Sequence, residues 1–376
     1  MTKRQVLLYF LKSAKKLFTI VYKSSTIRLY TDMFRPRYTI TDKLLANIKR
    51  VNSLVSELNN KRLPNVVLLD LERSACEVST YASTSIEGNP LPLTEVKKIL
   101  KSKPSHIRDS EKEVLNYNQA LQDLNSKLSE GRIKLTLSVI LKIQKKITVG
   151  LLPSFESGRL RGKAVVVNDP KTREVVYLPP DVKDVEPLSE DLIEFINENI
   201  NVIDPLILAG IFHKQMVVIH PFMDGNGRTT RLVTKVLLAA MGLNTFNLFS
   251  FENYYNKNVT RYFQTVGEFG NYYEIVGNID FTNWLEYFTE GIIDELLRVQ
   301  KFLPEAIASP HDRLQPYHLK MLEYIRKKGF IVDSAYAKLV KRAKATRALD
   351  FKKLIELGLI ERKGKARATY YVLKEK

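Results

Sequence analysis

Apolar residues recur at the spacing of an amphipathic helix along most of this 376-residue chain. Such patterns cover about residues 66–81, 109–126, 134–149, 188–200 and 282–302. No repeat and no low-complexity tract interrupts them, so the pattern predicts a mainly α fold. The first stripe of apolar residues comprises Leu44, Leu45, Ile48, Val51, Val55 and Leu58.

Two helical patterns in the middle of the chain are separated by a polar turn. The first runs from Leu206 to Ile219, and Pro221 ends that helix just after His220. The turn Asp224-Gly225-Asn226-Gly227 contains two glycines that allow positive φ. The second pattern covers residues 232–240. We therefore expect His220 at a helix end, and we expect the turn to lead into a helix N-terminus.

This turn has the chemistry of a phosphate site, because a glycine-rich turn before a helix offers unpaired N–H groups to an anion. Arg228 and Arg231 share one face of the first helical turn and can reach the same polyphosphate. Asp224 offers an oxygen to Mg²⁺, and a neutral imidazole at His220 is a competent base near pH 7. A calcium loop is excluded because Arg228 and Thr229 occupy its fifth and sixth positions. An ordinary polar turn between buried helices is the alternative.

The segment from His220 to Arg231 resembles the signature of Fic-domain proteins, His-Pro-Phe-x-Asp/Glu-Gly-Asn-Gly-Arg-x-x-Arg, and matches every specified position. The resemblance implies an enzyme that transfers AMP from ATP to a Ser, Thr or Tyr hydroxyl of a target protein, which could be this protein itself. It implies that His220 is the base, that Asp224 holds Mg²⁺ and that Arg231 grips the γ-phosphate. The other expected nucleotide contacts are Gly225, Asn226, Gly227, Arg228, Thr229 and Thr230.

A second segment, Ser83-Thr84-Ser85-Ile86-Glu87-Gly88-Asn89, ends the helical pattern that begins near residue 66. Alone it indicates only a helix C-terminus. Beside the first motif it resembles the inhibitory motif of the family, with Ser83 and Glu87 in the defining places. The resemblance implies that Glu87 pairs with Arg231, so that the γ-phosphate loses its anchor and the isolated enzyme is largely inactive.

Two further segments fit the same resemblance. Val165-Val166-Val167 and Val175-Val176-Tyr177 flank a polar turn and predict a β-hairpin. In the family such a hairpin, the flap, lies over the site and aligns the target peptide by strand addition, although a packing role alone is the alternative. Lys257-Asn258 with Tyr262-Phe263 resembles a family segment near the adenine, which makes Asn258 a further nucleotide-binding candidate.

The C-terminal region resembles the winged helix-turn-helix module of many bacterial Fic proteins. Helical patterns at about 316–328, 333–341 and 344–357 precede two alternating segments at 359–362 and 368–373. DNA binding and protein contacts both remain open for this module. The basic residues that could face phosphate are Lys344, Arg347, Arg362, Lys363, Lys365 and Arg367.

Most of the net charge of +18 lies in that module and in residues 1–31, which contain no acidic residue. The apolar run from Val6 to Leu11 is far shorter than the ~20 residues that span a bilayer. A basic amphipathic helix suits a membrane surface or a transit peptide, but we favour either an extension without a catalytic role or an upstream start site. The single cysteine, Cys76, forms no intrachain disulfide and fits a reducing, cytoplasmic location.

We therefore expect a basic N-terminal extension over residues 1–32 and a helical region with the inhibitory motif over 33–130. A Fic catalytic core follows over 131–302, then a linker over 303–312 and a winged helix-turn-helix domain over 313–376. The expected fold class is a mainly α Fic helical bundle with a β-hairpin flap and a small C-terminal α+β domain. The expected function is autoinhibited AMP transfer, with a homodimer as one arrangement; the alternative is a DNA-binding regulator or an AMP-removing enzyme that uses the same fold.

Overall fold

Helices make up most of the part of the chain that the structure describes. The computed structural model describes residues 34–61, 65–102, 104, 106–130, 134–169, 172–240, 242–243, 250–307, 314–365 and 368–374. Pro36–Lys376 form one compact unit, and the predicted extension over 1–32 lies outside the described residues. No described helix is both long enough and apolar enough to cross a membrane.

Five helices form the N-terminal part of the described chain, and the second and fourth of them carry residues that lie at the candidate site. Thr41 begins the first of them, because its hydroxyl accepts a hydrogen bond from the N–H of Leu44 at 3.0 Å. Gly88, with φ at +93°, follows the second helix and turns the chain away. These helices are α1 (Asp42–Asn59), α2 (Asn65–Ile86), α3 (Leu93–Lys101), α4 (Asp109–Glu130) and α5 (Leu137–Thr148).

The next helices enclose a central one, α7 (Pro205–Ile219), which is apolar except for His213, Lys214 and Gln215 and is buried almost all round. Gly210 allows α7 to approach α12 (Thr282–Ile307) closely, since a Cβ at Gly210 would lie 2.5 Å from a side-chain carbon of Leu285. Trp284 of α12 donates a hydrogen bond to the Gly210 carbonyl at 2.8 Å. These helices are α6 (Val182–Asn199), α7 (Pro205–Ile219), α8 (Asn226–Ala240), α9 (Phe251–Lys257), α10 (Val259–Val266), α11 (Tyr272–Ile275) and α12 (Thr282–Ile307).

A small sheet lies beside the C-terminal end of α7. Strands β1 (Val167–Asn168) and β2 (Val175–Leu178) form the predicted hairpin, and β3 (Gly270–Asn271) adds to β2 in parallel. Tyr177 faces inwards, is 3% exposed, and donates its hydroxyl hydrogen to the carbonyl of Val218 at 2.9 Å. This bond ties β2 directly to the end of α7.

The C-terminal region has three helices followed by an antiparallel hairpin, at the positions that the sequence pattern predicts. It has its own core, which includes Met321, Ile325, Phe351 and Ile360. Its assignment as a winged helix-turn-helix stays a prediction. The elements are α13 (Pro316–Lys328), α14 (Asp333–Leu339), α15 (Lys344–Glu356), β4 (Ile360–Lys363) and β5 (Tyr370–Leu373).

Three details of the sequence prediction are wrong. Leu45, placed in the apolar stripe of α1, is 41% exposed. Helix α12 continues to Ile307, into the predicted linker, because Leu303 is buried and its packing outweighs the hydrogen bond that Pro304 lacks. Arg347 does not face solvent as a phosphate contact would, since both of its terminal groups bond within the region, to Asp333 and to the Arg342 carbonyl. Arg367 lies outside the described residues.

Candidate active site

His220 ends helix α7 in a left-handed conformation, with φ at 50° and ψ at 59°. Its Nδ1 lies 3.3 Å from the carbonyl oxygen of Val217. Because a carbonyl only accepts hydrogen bonds, the proton of the neutral ring belongs on Nδ1 and the free electron pair on Nε2. Burial lowers the pKa of His220. The imidazole is therefore neutral near pH 7 and has the form that a base requires.

The turn after His220 is closed by Asn226. Its side-chain oxygen accepts a hydrogen bond from the N–H of Phe222 at 2.8 Å, and its amide donates to the carbonyl of Phe222 at 2.9 Å. Gly225 adopts φ at +81°, which a side chain would disfavour. Helix α8 begins at Asn226, so the turn leads directly into a helix N-terminus, as predicted.

Arg231 lies one turn further along α8 and is completely buried. It meets the end of α2, as the resemblance implied. Its Nη2 donates to Glu87 Oε1 at 2.7 Å and to the Ser83 carbonyl at 2.8 Å, and its Nε donates to the Ser83 hydroxyl at 2.7 Å. Its Nη1 lies 3.5 Å from the hydroxyl of Tyr262. The guanidinium is thus held on three sides, and Glu87 is the only carboxylate among these partners.

The carboxylate of Glu87 lies directly over the start of α8. A Cβ atom added to Gly227 would lie 2.2 Å from Glu87 Oε1 and 2.9 Å from Arg231 Nη1. The space next to the Gly227 backbone, where an anion could approach the helix N-terminus, is therefore filled by the anionic group of the chain itself.

Arg228 is paired with two carboxylates. Its Nη2 donates to both oxygens of Asp224, at 2.9 and 2.8 Å, and its Nη1 lies 2.5 Å from Glu113 Oε1. The side-chain amide of Asn89 donates a hydrogen bond to Glu113 at 2.7 Å. Glu113, on α4, thus links the turn after α2 to Arg228. Burial raises the pKa of Glu113, and Arg228 opposes this effect. The sequence prediction missed Glu113, because nothing in the α4 pattern marks one acidic residue among several.

Three residues predicted to contact the nucleotide, Thr229, Thr230 and Asn258, lie where the structure gives them other contacts. Thr229 and Thr230 are fully buried within α8, and the Thr230 hydroxyl donates to the Asn226 carbonyl at 2.8 Å. Asn258 is exposed and caps α10, where its side-chain oxygen accepts from the N–H of Arg261 at 3.0 Å. Asn258 does not line the cavity described next. For these three residues a nucleotide contact stays a prediction.

A cavity of about 270 Å³ opens beside His220 and Glu87. The flap hairpin, which we define as β1, β2 and the turn between them, forms one wall. Helix α10 and the segment after it form another. Much of the lining is apolar, as is typical of a pocket for a planar ring or an apolar side chain. The lining includes Val167, Val176, Tyr177, Val217, Asn226, Gly227, Tyr262, Phe263 and Phe269.

Asp224 is the residue that suits an implied Mg²⁺. Its side chain is 48% exposed, whereas that of its partner Arg228 is 4% exposed, so Asp224 is the member of this pair that a ligand can reach. Mg²⁺ needs only one or two protein carboxylates when phosphates provide further oxygens. The donor set therefore fits a phosphate-bound Mg²⁺.

A buried polar cluster lies one turn from Arg231 and was not predicted. Lys235 of α8 donates to the Ser79 hydroxyl at 2.7 Å and lies 3.1 Å from Glu252 Oε1. The same oxygen accepts hydrogen bonds from Ser79 and from Tyr117, both at 3.0 Å. This cluster holds α2 against α8 and α9. Its members lie far apart in the sequence, so no local spacing could have revealed it.

The sequence model of the Fic/DOC family matches residues 134–238, which contain His220 and both arginines. A protein adenylyltransferase Fic from Drosophila erecta is 29% identical in an alignment of 217 residues that covers 53% of this chain and 42% of that protein. A protein of the same name from Nematostella vectensis is 31% identical in an alignment of 166 residues that covers 43% of this chain and 37% of that protein. The chain thus spans less than half of the length of these curated relatives.

Solved structures show the same fold. A Fic family protein from Desulfovibrio desulfuricans has a TM-score of 0.60 at 19% identity, over 91% of this chain and 99% of that one. Fic-1 from C. elegans has a TM-score of 0.55 at 23% identity, over 70% of this chain and 73% of that one. The chain therefore carries a Fic domain over residues 134–238, and its fold is similar to that of solved Fic proteins.

Proposed function

We propose that this protein is an adenylyltransferase that transfers AMP from ATP to a hydroxyl side chain of a target protein and is held inactive by Glu87. The observation that carries the proposal is that the base and the proposed brake share one cavity. His220 and Glu87 both line this cavity, and Glu87 also bonds to the fully buried Arg231. The curated relatives named protein adenylyltransferase support the same activity.

The geometry suggests a role for each side chain. The Nε2 of His220 takes the proton of the target hydroxyl, and the hydroxyl oxygen attacks the α-phosphorus of ATP. The bond from the α-phosphorus to the bridging oxygen breaks, and pyrophosphate leaves. The start of α8, at Asn226 and Gly227, would offer backbone N–H groups to the phosphates. Bound Mg²⁺, held by Asp224, would neutralise phosphate charge.

Inhibition follows from competition for one cation. Arg231 is fully buried and would bind the γ-phosphate through the group that now bonds Glu87. While Glu87 occupies that place, ATP either fails to bind or binds without its γ-phosphate anchor. Moving Glu87 away would therefore switch the enzyme on, and any partner that shifts the end of α2 could do so.

The test is AMP incorporation from ATP labelled in the α-phosphate, with the wild-type protein, Glu87→Gly and Glu87→Gly/His220→Ala side by side. We expect little label with the wild type, strong label with the single variant, on itself or on lysate proteins, and none with the double variant. ATP labelled in the γ-phosphate is the matched control, because AMP transfer leaves that label in solution. Equal labelling by wild type and Glu87→Gly would contradict autoinhibition, and absence of label from both would contradict transfer.

The alternative functions receive less support from the described residues. A DNA-binding regulator loses one proposed phosphate contact, because Arg347 is paired with Asp333. Removal of AMP is distinguished by adding wild-type protein to a labelled target, since only an AMP-removing enzyme would release the label. A protein target is part of the proposal, whereas a homodimer, a DNA partner and a cytoplasmic location stay predictions.

A further inference from the structure

The backbone of His220 needs support that its own helix does not provide. Positive φ is uncommon for residues with a side chain and is tolerated when the surroundings hold it. The N–H of His220 bonds back to the carbonyl of Met216 at 3.1 Å, whereas the hydrogen bond that its own carbonyl accepts comes from a residue outside α7. The direction of the imidazole, and hence of the proposed base, depends on what holds that carbonyl.

The group that holds it is Arg161, which is 3% exposed. Its Nε donates to the carbonyl oxygen of His220 at 2.9 Å, and its backbone N–H donates to the carbonyl of Pro221 at 2.9 Å. Its Nη1 donates to the carbonyl of Lys163 at 3.2 Å, and its Nη2 donates to the carbonyl of Pro180. Lys163 precedes the flap hairpin and Pro180 follows it.

We propose that Arg161 is a positioning residue that joins the His220 peptide to both ends of the flap hairpin, so that the base and the wall that faces the substrate keep one fixed geometry. As far as AMP transfer is concerned, this inference rests on the proposed function. The joint itself is a property of the fold.

The chemistry explains why this position holds arginine. A guanidinium has five N–H donors in a rigid plane and can meet three carbonyls that lie in different directions. An ammonium is a compact point charge and could not span the same three oxygens. The side chain of Arg161 donates to three backbone carbonyls, so its guanidinium group fixes the backbone. The hydroxyl of Tyr177, bonded to Val218, adds a second tie between the hairpin and α7.

The charge of Arg161 also acts on His220. Burial is the main cause of the lowered pKa of His220, and Arg161 adds to it, whereas the Val217 carbonyl, Glu87 and Asp224 act in the opposite direction. Arg161 thus helps to keep the imidazole neutral while it holds the peptide. This effect accompanies the positioning role, which stands on the hydrogen bonds alone.

The experiment compares Arg161→Met, Arg161→Lys and Arg159→Met, each in the Glu87→Gly background, by steady-state kinetics of AMP transfer. Arg159 is a matched control, because it is an exposed arginine two residues away. We expect Arg161→Met to lower kcat by about 100-fold, the scale of a misplaced catalytic group, with little change in the KM for ATP. Arg161→Lys should recover only a small part of the rate, and Arg159→Met should retain it.

Two further measurements separate positioning from damage. Guanidinium ion at low concentration should restore activity to Arg161→Ala and leave Arg159→Ala unchanged. Amide hydrogen exchange in Arg161→Met should rise together at residues 217–222 and in the flap hairpin, and not in the C-terminal region. Full activity of Arg161→Met would overturn the inference, and so would a loss of activity in Arg161→Ala that guanidinium does not restore. Neither result would affect the proposed function as long as Glu87→Gly transfers AMP. If Glu87→Gly transfers no AMP, the proposed function fails, and the exchange pattern alone decides whether Arg161 joins the two segments.

Discussion

Replacing Glu87 by glycine removes the one carboxylate among the partners of Arg231, which is 0% exposed, whereas the Glu87 side chain is 24% exposed. A hydrogen bond to a charged group contributes roughly 1.5 to 3 kcal/mol. The bond at 2.7 Å between Arg231 and Glu87 belongs to this class. Because each ~1.4 kcal/mol is a factor of ten, relief of this competition should raise AMP transfer at low ATP concentration by roughly 10- to 150-fold.

The same substitution should lower the stability of the nucleotide-free protein. Arg231 then keeps its hydrogen bonds to Ser83 and Tyr262 but lacks a counter-charge. A buried donor that loses its partner lowers the free energy of unfolding by about 1–3 kcal/mol. ATP with Mg²⁺ should restore the loss, so the increase in melting temperature on adding nucleotide should be larger for Glu87→Gly than for wild type.

The assay is therefore thermal melting with and without ATP and Mg²⁺, run beside AMP incorporation. Glu323→Gln, at an exposed ion pair with Lys327 in the C-terminal region, is the control and should change neither quantity. A Glu87→Gly protein that melts at a higher temperature than wild type without nucleotide, or that gains no more from ATP, would refute the competition between Glu87 and phosphate.

Three further results are expected. Gly227→Ala should destabilise the protein, because its Cβ would lie 2.2 Å from the Glu87 carboxylate, and the loss measured by urea unfolding should be smaller in the Glu87→Gly background. Burial, aided by the charge of Arg231, lowers the pKa of His213 well below its usual value. The His213 imidazole therefore binds a proton more tightly in the unfolded chain than in the folded protein. The contribution of neutral His213 to folding stability is complete above about pH 6.5 and should be lost as the pH falls below that value. When the melting temperature is measured against pH, it should fall less steeply below about pH 6.5 for His213→Gln than for wild type. An equal slope for the two proteins would contradict this expectation. Residues 313–376, expressed alone, should melt cooperatively, since the region has its own buried core; a gradual, non-cooperative melt would contradict its predicted independence.

Local pattern was sufficient for the longer helices and for the loop chemistry. The C-terminal helices begin and end within a few residues of their predicted bounds, because Pro316 and Gly329 mark the ends of α13 and the apolar spacing marks its face. The turn at Gly225 was equally predictable, since only a residue without a side chain adopts its φ freely. Short helices such as α3, α10 and α11 were not predicted, because a few residues carry too little periodicity.

The partnerships of the charged groups were predictable only in part. The Glu87 to Arg231 contact followed from a resemblance between two motifs and not from spacing. Glu113 and Arg161 were missed as members of the site, although each lies in a segment whose type was predicted. A carboxylate on a helix and an arginine before a hairpin are common, and their roles depend on which distant group the fold brings near.

The sequence alone was sufficient to predict that the segment from His220 to Arg231 forms an anion-binding site beside a base. A helix end, a glycine turn and a helix start arise from neighbouring residues, whose backbone preferences act locally. Only the tertiary structure decided which groups meet there. Hydrogen bonds and ion pairs act over a few ångströms of space, and the chain separation between Ser83 and Arg231, or between Arg161 and His220, says nothing about that distance. The fold fills the place for the anion with Glu87 and fixes the His220 carbonyl with Arg161.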